Sequence, residues 1–261
     1  MARRRPSNLP APFLKRVWLD ATDLDRSQGY PFNLPWLVDD FELEFTTPVT
    51  ILMGENGTGK STLLEAVAAL SGYDEAGGGK GYRAVDHAQA LDKSGSGLAD
   101  LLRAGWLPKV TDGWFFRAES FFSVARYMDA AAKEAQAAGQ MSAIPPDFLS
   151  WSHGEGFLRF FEERMARQGI YFLDEPESAL SPQRQLDLIR LLTRVQETAR
   201  AQVIMATHSP MLMAVPNVRV LQVTRLGLFE VDFRATRHFE MYQNFTVDPE
   251  GFIAEALRED E

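Results

Sequence analysis

Apolar positions along the chain follow two rhythms, and the changes between them mark its elements. Phe13 to Leu19 alternates well enough for a first strand, and Phe41-Glu42-Leu43-Glu44-Phe45 repeats with period two, as a half-buried strand does. Between them, residues 20–35 read as an irregular excursion marked by Pro and Gly. Beyond Pro48, Val49-Thr50-Ile51-Leu52-Met53 is a nearly continuous apolar run, as expected of a central strand covered on both faces. From Thr62, the positions Leu63, Leu64, Val67 and Leu70 supply one helical stripe, with Gly72 as the stop.

The next stretch is less regular. Glycines cluster over residues 72–81 and again at Gly95 and Gly97, before Leu98 to Ala104 resumes a helical character. Trp114-Phe115-Phe116-Arg117 predicts a strand, and Phe121 to Ala138 predicts a helix ending at Gly139. Phe157 to Arg167 is strongly patterned as a helix, and Ile170-Tyr171-Phe172-Leu173 follows as a short apolar strand. Pro182 suits a first helical turn capped by Ser181, with Leu188, Leu192 and Val195 on the buried side. Val203-Ile204-Met205-Ala206 is another strand, Val218 to Val223 and Leu228 to Phe233 flank Gly227 as a hairpin, and Asp248-Pro249 starts a last short helix. Strands that precede helices and expose polar residues at their ends imply an α/β sheet with its ligand along the carboxyl edge.

Composition narrows the function classes. A chain of 261 residues with 45% hydrophobic and 24% charged residues can bury a substantial core. It has no cysteine, which removes disulfides, thiolate zinc sites and thiol nucleophiles. The four histidines, His87, His153, His208 and His238, are too scattered for a metal-ligand set. A net charge of −9 and a pI near 5.1 argue against broad wrapping of nucleic acid, although a local basic groove stays compatible. Residues 1–12 carry Arg3-Arg4-Arg5 and read as a flexible basic arm. No apolar run reaches membrane-spanning length, and a cytoplasmic location is expected.

The chemistry is announced between the central strand and its helix. Gly54-Glu55-Asn56-Gly57-Thr58-Gly59-Lys60-Ser61 is a complete Gly-x-x-x-x-Gly-Lys-Ser phosphate loop, continued by Thr62. Its glycines let backbone N–H groups and the helix start face polyphosphate oxygens. Lys60 is then the point charge for the terminal phosphates and Ser61 the hydroxyl for Mg²⁺.

Two adjacent carboxylates end the strand at Leu173. Asp174 is assigned to the metal and Glu175 to the attacking water, since consecutive strand residues can serve different sides of one cleft. His208 follows a second apolar strand and offers one donor and one acceptor for fixing geometry; a capping or core histidine is the alternative. Ser152 and Gly154, before the helix at Phe157, form a weaker anion site, which a simple helix cap also explains.

Together these residues resemble an ATP-binding-cassette nucleotide-binding domain of the compact prokaryotic predicted-ATPase group, related to the heads of chromosome-maintenance and recombination-repair ATPases. The likeness covers most of residues 13–235 and is strongest in the phosphate loop and in Tyr171-Phe172-Leu173-Asp174-Glu175-Pro176-Glu177. It implies a P-loop NTPase fold of cassette type: a central, mostly parallel α/β sheet with peripheral antiparallel strands, one domain over residues 13–261, and a largely helical insert at 72–150. It further implies ATP and Mg²⁺ as ligands, catalytic roles for Glu175, His208 and Lys60, and an ATP-dependent head-to-tail homodimer. In that dimer Ser152-His153-Gly154-Glu155 matches the signature segment facing the partner's γ-phosphate, Ser178-Ala179-Leu180-Ser181 looks like the loop joining two sites, and His208 looks like the switch histidine. The signature departs from the usual form at His153. The lid-loop glutamine has no evident counterpart, Glu119 being the nearest polar substitute. Tyr30, Phe32 and Trp36 are candidates for stacking on adenine, with core packing the alternative for each.

Three uses of such a cycle fit the sequence: nucleic-acid maintenance or defence, a gated module that captures a protein partner, or the cassette of a membrane transporter. The loop alone also admits a guanylate switch or a small-molecule kinase, because it does not select the base.

Overall fold

The computed structural model describes residues 9–80, 94–117 and 153–258. In chain order its elements are β1 (Leu14–Leu19), β2 (Glu42–Glu44), β3 (Val49–Met53), α1 (Lys60–Leu70), β4 (Gly78–Gly79), α2 (Ser94–Leu101), β5 (Leu102–Trp106), β6 (Gly113–Arg117) and α3 (His153–Met165). Then come β7 (Gly169–Asp174), α4 (Pro182–Thr198), β8 (Ala201–Ala206), α5 (Pro210–Met213), β9 (Arg219–Thr224), β10 (Gly227–Glu230), α6 (Arg237–Val247) and α7 (Pro249–Ala256).

The end-to-end apolar runs form the middle of a seven-stranded sheet in the order β10-β9-β3-β8-β7-β6-β4. Strands β9, β3, β8, β7 and β6 run parallel to one another, and β10 and β4 pair antiparallel at the two edges. Every residue of β3, β7 and β8 is buried, which is why these strands read as continuous apolar runs rather than alternating ones. The two faces take alternate residues. Val49, Ile51 and Met53 pack in a core with Leu188, Leu192 and Val195 of α4, while Leu52 shares the opposite core with Leu63, Leu64 and Val67 of α1. Full burial of each such side chain contributes about 1.5–3 kcal/mol.

A second, three-stranded antiparallel sheet, β2-β1-β5, supplies Leu14 and Val17 to the α1 core. Gln202, fully buried in β8, ties the two sheets together. Its Oε1 accepts from the Phe13 and Leu14 amides at 2.8 Å each, and its Nε2 donates to the Leu14 carbonyl at 3.0 Å.

Local rules account for the helix boundaries. Ser181 caps α4 by accepting from the Arg184 amide, with Pro182 in the first turn, and Asp248 caps α7 through the Gly251 amide at 3.0 Å. Gly72, at φ 93°, follows the end of α1 as anticipated. Residues Leu98 to Ala104 depart from their helical reading: α2 ends at Leu101, and Leu102 to Trp106 pair with β1, with Ala104 opposite Val17. An open strand edge there wins over local propensity. Within residues 72–150, the described portions hold β4, α2, β5 and β6, and the helix read at Phe121 to Ala138 lies outside the described residues. The sequence reading also lacked α6, which Thr236 caps through the Phe239 amide at 3.2 Å.

Candidate nucleotide site at the carboxyl edge of the sheet

The turn from β3 into α1 is shaped by its glycines. At Gly54, φ is 150° and a Cβ would lie 2.4 Å from the Val223 carbonyl oxygen, so no larger residue fits. Trp36, 1% exposed, braces the turn from beneath by donating its indole N–H to the Thr58 carbonyl at 2.8 Å. Lys60 is 4% exposed and donates from Nζ to the Glu55 carbonyl at 2.9 Å. Burial holds its pKa below the usual lysine range, against the pull of Glu175, Asp174, Glu55 and Glu177 in the other direction. Gly59, at the N-cap of α1, has no side chain with which to cap the first-turn N–H groups of the helix.

Sheet register brings the acidic strand to this turn. Ser61 Oγ donates to Asp174 Oδ1 at 2.9 Å, linking the first turn of α1 to the last residue of β7. Arg117, opposite Asp174 in the β6–β7 pairing, sits between two acids: its Nη2 lies 2.9 Å from Glu65 Oε1 and its Nε 3.9 Å from Asp174 Oδ2. Glu175 turns away from the strand at φ 46°, its amide donating to the Ala206 carbonyl at 3.0 Å. A left-handed conformation at a non-glycine residue is uncommon, and here it releases the side chain from the sheet to 44% exposure.

His208 stands at the end of the neighbouring strand, its Nε2 3.7 Å from Glu175 Oε1. Burial lowers its pKa from the usual histidine value, as does the charge on Lys60, while Glu175 and Glu177 oppose the shift, and the net effect favours the neutral imidazole. Its carbonyl faces Nε2 of His238 at 3.1 Å.

Glu177 has no role that the sequence motif specifies, and its contacts give it one. Oε2 accepts from the Thr207 hydroxyl at 2.8 Å, and Oε1 accepts from the His208 and Ser209 amides at 2.6 and 3.1 Å. The available signal was a third acid two residues beyond Glu175, with an apolar strand elsewhere ending in three polar residues, Thr207-His208-Ser209.

Lys60, Ser61, Asp174, Glu175 and His208 therefore converge on one edge. Ser152 and Glu119 lie outside the described residues, and Gly154 falls in the first turn of α3. Trp36 is core and a brace for the turn rather than a free stacking face. Tyr30 is 56% exposed and hydrogen-bonds to the Thr62 hydroxyl. Among the described residues, no group of three or more His, Cys, Asp or Glu is arranged to hold a metal ion.

Two family models match parts of the chain. Residues 154–214 match "AAA domain, putative AbiEii toxin, Type IV TA system", and residues 32–100 match "AAA domain". The matched stretches carry the acidic strand with His208 and the phosphate loop respectively. Each model covers less than half of the chain, and both matches agree with the P-loop NTPase fold that the sheet order describes. No curated protein matches the sequence. Among solved structures, the chain is similar to "An inward-facing conformation of a putative metal-chelate type ABC transporter", at 16% identity over 84% of each chain with a TM-score of 0.46. It is also similar to CbiO1 from Clostridium perfringens, part of the ABC transporter complex CbiONQ, at 15% identity over 93% of this chain and 99% of that one, with a TM-score of 0.47.

Proposed function

We propose that the chain binds ATP with Mg²⁺ at the turn from β3 to α1 and hydrolyses the γ-phosphate. The observation that carries this reading is the 2.9 Å hydrogen bond between Ser61 and Asp174, which brings the phosphate loop and the acidic strand end into one site. A hydroxyl and a carboxylate are the hard oxygen donors that Mg²⁺ takes when water and phosphate complete its shell, so the residues fit the ion without an all-protein cage. The uncapped start of α1 fits a polyphosphate in the same way. Bound there, Mg²⁺ would neutralise charge on the phosphate oxygens.

The chain's own groups divide the remaining work. The loop amides and Lys60 hold the β- and γ-phosphates. Glu175, free of the sheet, accepts a proton from the attacking water as its oxygen bonds to the γ-phosphorus and ADP departs. His208 keeps that water or the γ-phosphate in line. In the fuller cycle, Ser152 and Gly154 of a second copy close over the nucleotide in a head-to-tail dimer, and closure adds charge stabilisation only in the closed state. We place the domain at residues 13–261 in the cytoplasm; among the described residues no helix is long and apolar enough to cross a membrane.

Calorimetry with ATP and GTP, paired with phosphate release, tests the core of this reading. Wild-type protein should bind ATP with Mg²⁺ and release phosphate, and Lys60→Ala should lose both. A folded wild-type protein with no triphosphate affinity would end the proposal. Repeating turnover with DNA or RNA while following the oligomeric state separates a nucleic-acid role, which the chromosome-maintenance resemblance suggests, from a protein-gating one.

A further inference from the structure

The switch segment Thr207-His208-Ser209 has little regular structure to hold it. It leaves β8 after Ala206 and enters α5, only four residues long, at Pro210. Three donors in a row nevertheless have fixed directions, because all three meet one carboxylate. Glu177 takes the Thr207 hydroxyl on one oxygen and the His208 and Ser209 amides on the other. Thr207 is fully buried and Ser209 is 7% exposed, so without Glu177 these groups would face the protein interior with fewer partners. A second tie runs parallel: Ser209 Oγ lies 2.6 Å from Gln185 Oε1 in the first turns of α4.

The carboxylate itself is aimed from the acidic strand. Pro176 to Ala179 form one tight helical turn directly after Glu175, and the Ser178 amide donates to the Glu175 carbonyl at 3.1 Å. Glu175 and Glu177 therefore leave one short rigid turn in different directions: Glu175 toward the His208 imidazole and Glu177 toward the His208 backbone.

We propose that Glu177 is a positioning residue for hydrolysis, which fixes the His208 imidazole beside Glu175 by holding the His208 and Ser209 amides together with the Thr207 hydroxyl. This inference rests on the ATPase reading given above. Charge-assisted bonds to an ionised carboxylate are about twice as strong as neutral ones, which suits a clamp on a segment this short. Glutamine is an imperfect substitute: its Oε1 can accept from both amides, but its N–H₂ group then faces the Thr207 hydroxyl, which must reverse to accept, and the charge is lost.

The test is a double-mutant cycle on turnover in the full chain. Glu177→Ala and His208→Ala are made singly and together, and kcat, KM for ATP and urea midpoints are measured for each. Glu177→Ala should lower kcat at least tenfold with KM changed less than threefold. Added to His208→Ala, it should lower kcat by less than twofold further, because the residue it positions is already gone. Glu177→Gln should fall between wild type and Glu177→Ala. Additive losses of kcat in the cycle would overturn the proposal, leaving Glu177 a purely structural residue. So would a His208→Ala enzyme as fast as wild type, or a Glu177→Ala enzyme with unchanged kcat. Failure of the ATPase reading looks different, since then wild-type protein itself has no turnover. A Glu177→Ala chain that does not fold is replaced by Thr207→Val with Glu177→Gln, which removes one donor and retains the shape.

Discussion

Arg117 and Glu65 form a buried ion pair, Nη2 to Oε1 at 2.9 Å, with side chains 11% and 5% exposed. The pair joins the end of β6 to the second turn of α1 and stands next to Asp174. Removing one member of a buried pair leaves a charge without its compensation. Arg117→Met should therefore cost about 3 kcal/mol in urea unfolding, and Arg117→Met with Glu65→Leu should recover most of that loss. A double variant no more stable than the single one would mean that Asp174, not Glu65, is the partner that matters.

Trp36 offers a cleaner probe of the turn. Trp36→Phe keeps most of the buried ring but removes the donor to the Thr58 carbonyl. A loss of about 1 kcal/mol is expected, read as roughly fivefold weaker ATP binding. Unchanged affinity would show that the glycines alone hold the turn in its working shape.

Glu175→Gln keeps the shape of the side chain and loses its basicity. ATP affinity should stay within about threefold of wild type while turnover falls by roughly 10²–10⁴, the usual contribution of a general base. ATP-bound dimer should then accumulate in sedimentation. A variant that hydrolyses at wild-type rate would move the base elsewhere on the edge.

His208 sets a pH dependence. Burial, with the Lys60 charge second, lowers its folded pKa below 6.5. As pH falls through 6.5, the unfolded chain takes up the proton first, and the folded state loses stability from there down to the lowered value. His208→Asn should remove that part of the acid sensitivity. Urea midpoints of the two proteins at pH 7.5 and 5.5 measure it, and equal losses in both would assign the acid sensitivity to other groups.

How much of this was legible in sequence depends on the distance over which each feature is decided. The phosphate loop is local, since Gly54, Gly59 and Lys60 specify their turn and helix start within a few residues. Strands β3, β7 and β8 were equally plain, because burial on both faces leaves no polar register to misread. Leu102 to Ala104 was not, as its strand exists only because β1 offers an edge some 85 residues earlier in the chain. Likewise α6 lacks any buried residue, so no core-facing stripe announced it. Glu177 was visible as a residue but not as a clamp, for its three donors come from a strand end about 30 positions away.

Strand β8 also has a metric consequence. It lies between β3 and β7, so the turn carrying Lys60 and the tip carrying Asp174 stand two ladder steps apart, roughly 10 Å at about 4.8 Å per step. That clearance is a dimension of paired peptide groups and does not vary with the side chains that happen to occupy the intervening strand. Whatever occupies the space must fit a width ruled by main-chain geometry, which α1 narrows by reaching sideways through Ser61.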